Sequence, residues 1–289
     1  MRAILIIARL TIAETSRRRI LAVLLALTVI SVALTTWGIE RLVSLAREGG
    51  TTDLEIAVGV SQLLILVAFM FSFVLAMTAA FLGAPAIAAD LESGVAHAML
   101  ARPIRRADLL VGRWLGLVAV IAAYAGASGL LEIAAVRLVS GYAPPAPLLA
   151  VGFLSAQATV LLTLAMLLST RLPAIAGGAI CVVLFGLGWM AGVFAGIGRF
   201  FEAGPLVAAA EASRWLLPSD GLWRGTIFAL EPSVVVAGAI GLGGEAADAA
   251  DASPFFASAP PPTEFLVWSV VWVVVVLGLA VISLGRRDL

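Results

Sequence analysis

Eight ionisable side chains crowd into one stretch, from Ala89 to Gly116: Asp90, Glu92, His97, Arg102, Arg105, Arg106, Asp108 and Arg113. The chain as a whole is only 12% charged, so this concentration marks a place where it meets water or a charged partner. The chemistry on offer is recognition rather than catalysis. Guanidinium groups bind carboxylates and phosphates through paired N–H donors. His97 is the single histidine and Cys181 the single cysteine, which excludes a disulfide framework and a Cys/His metal cluster within one chain. Cys181 lies in an apolar run and reads as a small buried hydrophobe. His97 reads either as a surface side chain or as a partner contact. All 18 basic residues are Arg. A phosphate-cradling P-loop requires Lys, so any nucleotide hydrolysis tied to this protein belongs to another polypeptide. No cofactor and no metal site is expected.

The elements that must hold this stretch read as helix, break, helix. Leu91, Val95, Ala98 and Met99 recur at helical spacing and give one apolar face. Pro103 then interrupts, because it lacks an amide donor and biases Arg102 away from the helical region. A second helix begins near Arg106 and runs into an apolar segment. Spacing alone leaves two readings open: a lever pressed from outside the membrane, or a solvated loop with basic anchors.

The chain is 62% hydrophobic with a mean hydropathy of +1.11. A soluble domain is typically about half apolar and a quarter charged, so this is an all-α polytopic membrane protein. Its zero net charge argues against nucleic-acid binding. Six segments reach the roughly 20 residues a span needs: Ile20–Gly38, Ile56–Leu82, Leu115–Val139, Leu148–Thr170, Ala174–Ala195 and Phe265–Leu284. With both termini inside, twelve of the 18 Arg but five of the 18 acids fall on the inner side. That asymmetry sets an N-in, C-in orientation. Residues 1–19 form an amphipathic lead-in along the inner surface, read as an uncleaved anchor rather than a signal peptide. Residues 83–114 form the inner loop, and residues 197–264 an outer region.

Several other residues invite a role. Glu132, in the third span, is either an interfacial residue near the outer boundary or a ligand for substrate or a proton. Gln157, Thr159 and Thr163 in the fourth span can hydrogen-bond between helices. Gly188, Gly192 and Gly196 recur every four residues in the fifth span and clear one face. That face packs inside the bundle or against a second copy. Ile39 to Glu55 reads as a polar outer loop. In the outer region, Ser219 or Asp220 is expected to cap a helix beginning near Leu222, with Trp215, Trp223 and Arg224 at the headgroups. The run from Gly244 to Thr263 is acidic and Pro-rich and expected to be mobile. Phe255 and Phe256 within it are expected to touch membrane or a partner.

The run "ESGVAHAMLARPIRRADLLVGRWLG" resembles the segment after the second span of ABC-2-type transporter permeases. The matching positions are Glu92, Gly94, Met99, Leu100, Pro103, Arg105 or Arg106, and Gly112. Val95 stands where Thr is usual and Arg113 where Lys is commoner. The resemblance extends to "IARLTIAETSRRRIL", "LPSDGLWRG" and the tail "GRRDL". Nearest are permeases of the copper-processing type found beside nitrous-oxide reductase genes. The resemblance implies an elbow helix over residues 1–19 and a cytoplasmic coupling helix between spans two and three. It also implies short outer helices between spans five and six. Implied partners are two copies of an ABC ATP-binding subunit, a second permease protomer (a homodimer through the first and fifth spans) and membrane lipids. Glu92, Gly94, His97, Arg102, Pro103, Arg105 and Arg106 are the implied ATPase-coupling residues. Gly188, Gly192 and Gly196 are the candidate protomer interface. The expected function is a permease subunit, exporting, in a bacterial or archaeal cytoplasmic membrane. The rival readings are a scaffold that transmits ATPase motion without moving solute, a channel, and a membrane enzyme acting on lipid.

Overall fold

The computed structural model describes residues 2–17, 19–92, 105–242 and 253–287. Among these residues the chain forms helices and no strand. In order they are α1 (Arg2–Ser16), α2 (Arg19–Glu48), α3 (Asp53–Gly83), α4 (Pro85–Glu92), α5 (Arg106–Ser140), α6 (Pro147–Ser169), α7 (Ala174–Phe200), α8 (Gly204–Leu216), α9 (Ser219–Leu230), α10 (Ser233–Leu242) and α11 (Thr263–Gly285). Six are long and apolar enough to cross a bilayer: α2, α3 continued through α4, α5, α6, α7 and α11. A helix satisfies its own amides and carbonyls, which is what a chain without water around it requires.

The bundle is built around α6, which packs against α3, α5, α7, α9 and α11. Its Ala150, Leu154, Ala158, Leu161, Leu162 and Ala165 are buried. Small residues let neighbours approach it closely. A side-chain carbon at Gly83 of α3 would lie 2.9 Å from the Ala165 methyl, and one at Gly225 of α9 would lie 2.8 Å from the Phe153 ring. The outward faces stay apolar: Val23, Leu27 and Leu34 on α2, Val183 and Leu187 on α7, and Val270 and Val274 on α11 are exposed. Lipid solvates such surface without penalty.

The loop after the first span is much shorter than its polarity implies. α2 runs through to Glu48, because Ile39 and Val43 continue the helical stripe and are buried at 1% and 4% exposure. The turn is reduced to Gly49–Thr52, where Gly50 adopts φ +77°. Thr52 then opens α3 with a capping box. The Thr52 amide donates to Glu55 Oε2 at 2.9 Å and the Glu55 amide to Thr52 Oγ1 at 3.4 Å, which satisfies two orphan donors.

The region after α7 also departs from a surface arrangement. α9 is almost wholly interior, with Trp223 at 2% and Ile227 at 0% exposure, so Trp223 packs inside the bundle. α9 begins at Ser219, with Pro218 preceding it and no side-chain cap. Asp220 is engaged elsewhere, as described below. Phe256 is buried, and Phe255 meets Phe69 edge-on with centroids 5.3 Å apart. Trp223 Nε1 donates to the Pro254 carbonyl at 3.2 Å. The two phenylalanines thus belong to the interior rather than to lipid. Within the acidic, Pro-rich run Phe256 and Ala257 are buried while Ala259, Pro260, Pro262 and Thr263 are exposed, and residues 243–252 lie outside the described residues.

Candidate functional site

At one end of the bundle, arginines tie the helices together. Arg106, the first residue of α5, donates from Nη1 to the carbonyls of Leu284 at 3.1 Å, Gly285 at 3.2 Å and Arg287 at 2.7 Å. These carbonyls lie at and just beyond the C-terminal end of α11, and a cation there also opposes the helix dipole. Arg287 donates in turn to the Thr170 carbonyl at 2.7 Å, at the end of α6. Arg171 reaches Ser283 Oγ at 3.0 Å and its carbonyl at 3.2 Å. Arg113 donates to the Ala86 carbonyl of α4. The same end receives α1, whose Ile7, Ala8, Thr11 and Thr15 are buried. Close docking rests on Gly112 and Gly116 of α5. A side-chain carbon there would stand 2.8 Å from Ile7 Cβ and 2.7 Å from the Ala8 carbonyl, respectively. α1 keeps Leu5, Ile6 and Leu10 exposed, an apolar face fit for the edge of a bilayer.

The charged stretch hangs from this plate. Glu92 is the last residue of α4. Gly94, His97, Arg102 and Pro103 lie outside the described residues. Arg105 precedes α5 in extended conformation and is exposed. Arg105 and Arg106, equivalent in sequence, are therefore divided: Arg105 faces outward and Arg106 is a staple between α5 and α11. The chain enters the stretch from α4 and leaves it into α5. Both are fastened to the bundle.

A second feature lies between α2, α3, α5, α6 and α9. A cavity of about 50 Å³ is lined by Thr28, Ser31, Leu64, Phe71, Ser128, Glu132, Leu154 and Leu230, among others. Space of that size holds a few waters. Thr28 Oγ1 lies 2.9 Å from Tyr124 Oη and 3.3 Å from Ser128 Oγ. Glu132 Oε1 is buried without a hydrogen-bond partner. Glu132 thus faces the interior of the bundle and not simply its boundary. In the fourth span, Thr163 bridges helices by accepting from Trp114 Nε1 at 2.9 Å. Thr159 turns back on its own helix, donating to the Ser155 carbonyl at 2.8 Å.

The glycine stripe of α7 is filled from within. Gly188, Gly192 and Gly196 are buried inside the protomer. Gly188 lies under Ser219 and Leu217, and Gly192 under the Asp220 carboxylate. Gly188 and Gly192 thus pack against their own chain. Among the described residues, no group of three or more His, Cys, Asp and Glu is close enough to hold a metal ion.

Sequence reasoning missed two clusters. Buried Asp220 joins Arg214 to Arg224, and the Asp220–Arg224 spacing of four on one helix was its available signal. Buried Glu231 accepts from Gln62 Nε2 at 3.3 Å and from the Ala257 amide at 3.4 Å. Its partners lie far away in sequence, so no local pattern announces it. Beside it the Tyr142 hydroxyl donates to the Leu230 carbonyl at 2.6 Å. Burial first, and the Glu231 charge second, raise the Tyr142 phenol well above its ordinary value.

Residues 5–289 match the family model described as ABC-2 family transporter protein. No curated protein matches the chain.

Proposed function

Since the chain belongs to the ABC-2 transporter family, it is the membrane-spanning permease subunit of an ABC transporter, partnered by an ATP-binding subunit, and we propose how its parts serve that role. Two copies of the chain assemble with two copies of the ATP-binding subunit, with both termini of each permease on the cytoplasmic side. The chain itself hydrolyses nothing, having no Lys for a P-loop. The observation that carries this reading is the arginine-tied end, where α1, α4, α5, α6 and α11 are fastened at the root of the charged stretch. Closure of the ATPase pair presses that stretch, and the fastened helices move as a body, a shear between packed helices. The exposed faces of α2 and α7 supply the contact between protomers. The cargo is an apolar or amphipathic compound moved outward, in keeping with the few polar groups that the spans present.

Co-purification with the ATPase tests the coupling role. Arg105→Glu is expected to lower ATPase recovery and ATPase stimulation at least tenfold while leaving the thermal midpoint unchanged. Arg106→Ala is expected to lower stability by about 1.5–3 kcal/mol, the range for hydrogen bonds to a charged group. Undiminished ATPase binding by Arg105→Glu would remove the lever from the proposal. The second reading is a scaffold that transmits ATPase motion without moving solute. ATP-dependent uptake of an amphiphile by inverted vesicles separates the two, since a scaffold shows none.

A further inference from the structure

Acceptors outnumber free donors in the cavity between α2, α3, α5, α6 and α9. We propose that this cavity binds a primary ammonium group carried on an alkyl chain. Thr28, Ser31, Ser128 and Glu132 line one part of it, and Leu64, Val67, Phe71 and Leu154 another. Thr28 Oγ1 lies 2.9 Å from the Leu24 carbonyl, which can only accept, so the Thr28 proton is spent there. The Tyr124 hydroxyl, at 2.9 Å, and the Ser128 hydroxyl, at 3.3 Å, must then donate to Thr28. That arrangement leaves lone pairs on Ser128. Glu132 follows Ser128 by four residues, about one turn along α5, and its Oε1 is buried with no hydrogen-bond partner.

A buried carboxylate is costly unless a cation or a set of donors offsets it. Thr35 of α2 also reaches this carboxyl, but a hydroxyl carries no charge. No Arg is among the residues that line the cavity. An ammonium group brings one positive charge and its N–H donors together, and Glu132 Oε1 and Ser128 are the acceptors that await them. The apolar wall argues for an organic cation over a metal ion. Hard cations gather about six oxygen ligands or more, and much of this wall is carbon. One water-sized group needs about 10–15 Å³. The cavity of about 50 Å³ therefore takes an ammonium head and the first carbons of its chain. Binding needs neither the ATPase nor transport, so it is read apart from the permease mechanism.

The test uses the purified full chain in neutral-lipid nanodiscs, with radiolabelled hexylammonium as the probe and the uptake of empty nanodiscs subtracted. The expected result is saturable binding of one hexylammonium per chain. Hexyltrimethylammonium has the charge but no N–H, and should compete about tenfold more weakly or worse. Hexanol should not compete. Glu132→Gln keeps the shape and removes the charge, and should weaken binding about tenfold or more. Ser128→Ala should weaken it several-fold. Thr159→Ala is the control, since that hydroxyl is bonded within its own helix, and should leave binding unchanged. Should Glu132→Gln fail to fold, as read by its thermal midpoint, the paired change Ser31→Ala with Ser128→Ala takes its place. Binding no greater than to empty nanodiscs, equal competition by hexyltrimethylammonium, or full affinity in these folded variants would overturn the proposal. Displacement by sodium chloride but not by choline chloride would also overturn it, by making the site one for an inorganic cation.

Discussion

Glu132 shows what a single residue can cost and do inside a bundle. Its Oε1 has no partner in a place without bulk water, and an unsatisfied buried polar group is destabilising by about 1–3 kcal/mol. Glu132→Leu should therefore raise the thermal midpoint in detergent. If the cavity lies on the cargo path, the same change should lower ATP-driven uptake, the usual opposition between a strained site and stability. A lowered midpoint would mean that the carboxylate is tied down after all. Tyr142 gives a pH prediction of opposite kind. Its neutral form is favoured in the folded protein, so the unfolded chain releases the phenolic proton first as pH rises. Stability should hold up to about pH 10, the ordinary phenol value, and fall above it. Tyr142→Phe should flatten that alkaline limb, read by thermal scans between pH 9 and 11.5, and lose some stability at neutral pH with its bond to Leu230. An unaltered alkaline limb would show that another group governs it.

At the scale of elements, the docking of α1 onto α5 depends on absent side chains. Gly112 and Gly116 let the backbones of α5 and α1 meet, a pair of small residues four apart of the kind that holds helices together in membranes. Gly116→Val places a branched side chain against the Ala8 carbonyl, and overpacking of this kind typically costs about 1–3 kcal/mol. α1 should then lift from the bundle, and proteolysis after Arg9 should become fast while the spans stay intact. Gly59→Ala is the matched control, since nothing stands within 4 Å of that position. Cleavage that stays slow in Gly116→Val would show that α1 is held by lipid and not by α5. The helical stripe of α1 was plain in the sequence, and so was the break before Arg106. That α5 supplies the groove was not, because Gly112 and Gly116 announce a close approach without naming what approaches.

Across the whole molecule, the two ends differ in a way that labelling can read. Arg105 is exposed at the fastened end and Leu216 at the other, with 75% exposure. In a Cys181→Ala background, Arg105→Cys should react with an impermeant maleimide in inverted vesicles, and Leu216→Cys in intact cells. The reverse pattern would invert the proposed orientation. The protomer contact can be read in the same background. Leu187→Cys on the exposed face of α7 should form intermolecular disulfides, whereas Thr163→Cys, at 0% exposure, should not. No cross-link at Leu187 would move the contact to another face.

Composition and period by themselves determined that this chain is all-helical, that six segments can span a bilayer, and that its basic charge gathers at one end. They could do so because each helix must satisfy its own backbone and present apolar surface to lipid, demands written locally along the chain. Only the tertiary structure decided which of two adjacent arginines is free to meet a partner. It also decided that the glycines of α7 are covered from within, and that α9 is a core helix instead of a surface one. Those outcomes depend on which helix lies opposite, at sequence separations that no local pattern encodes. Arg106 finds carbonyls 178 residues away, and a charge that looks solvated in sequence becomes the fastening of the fold.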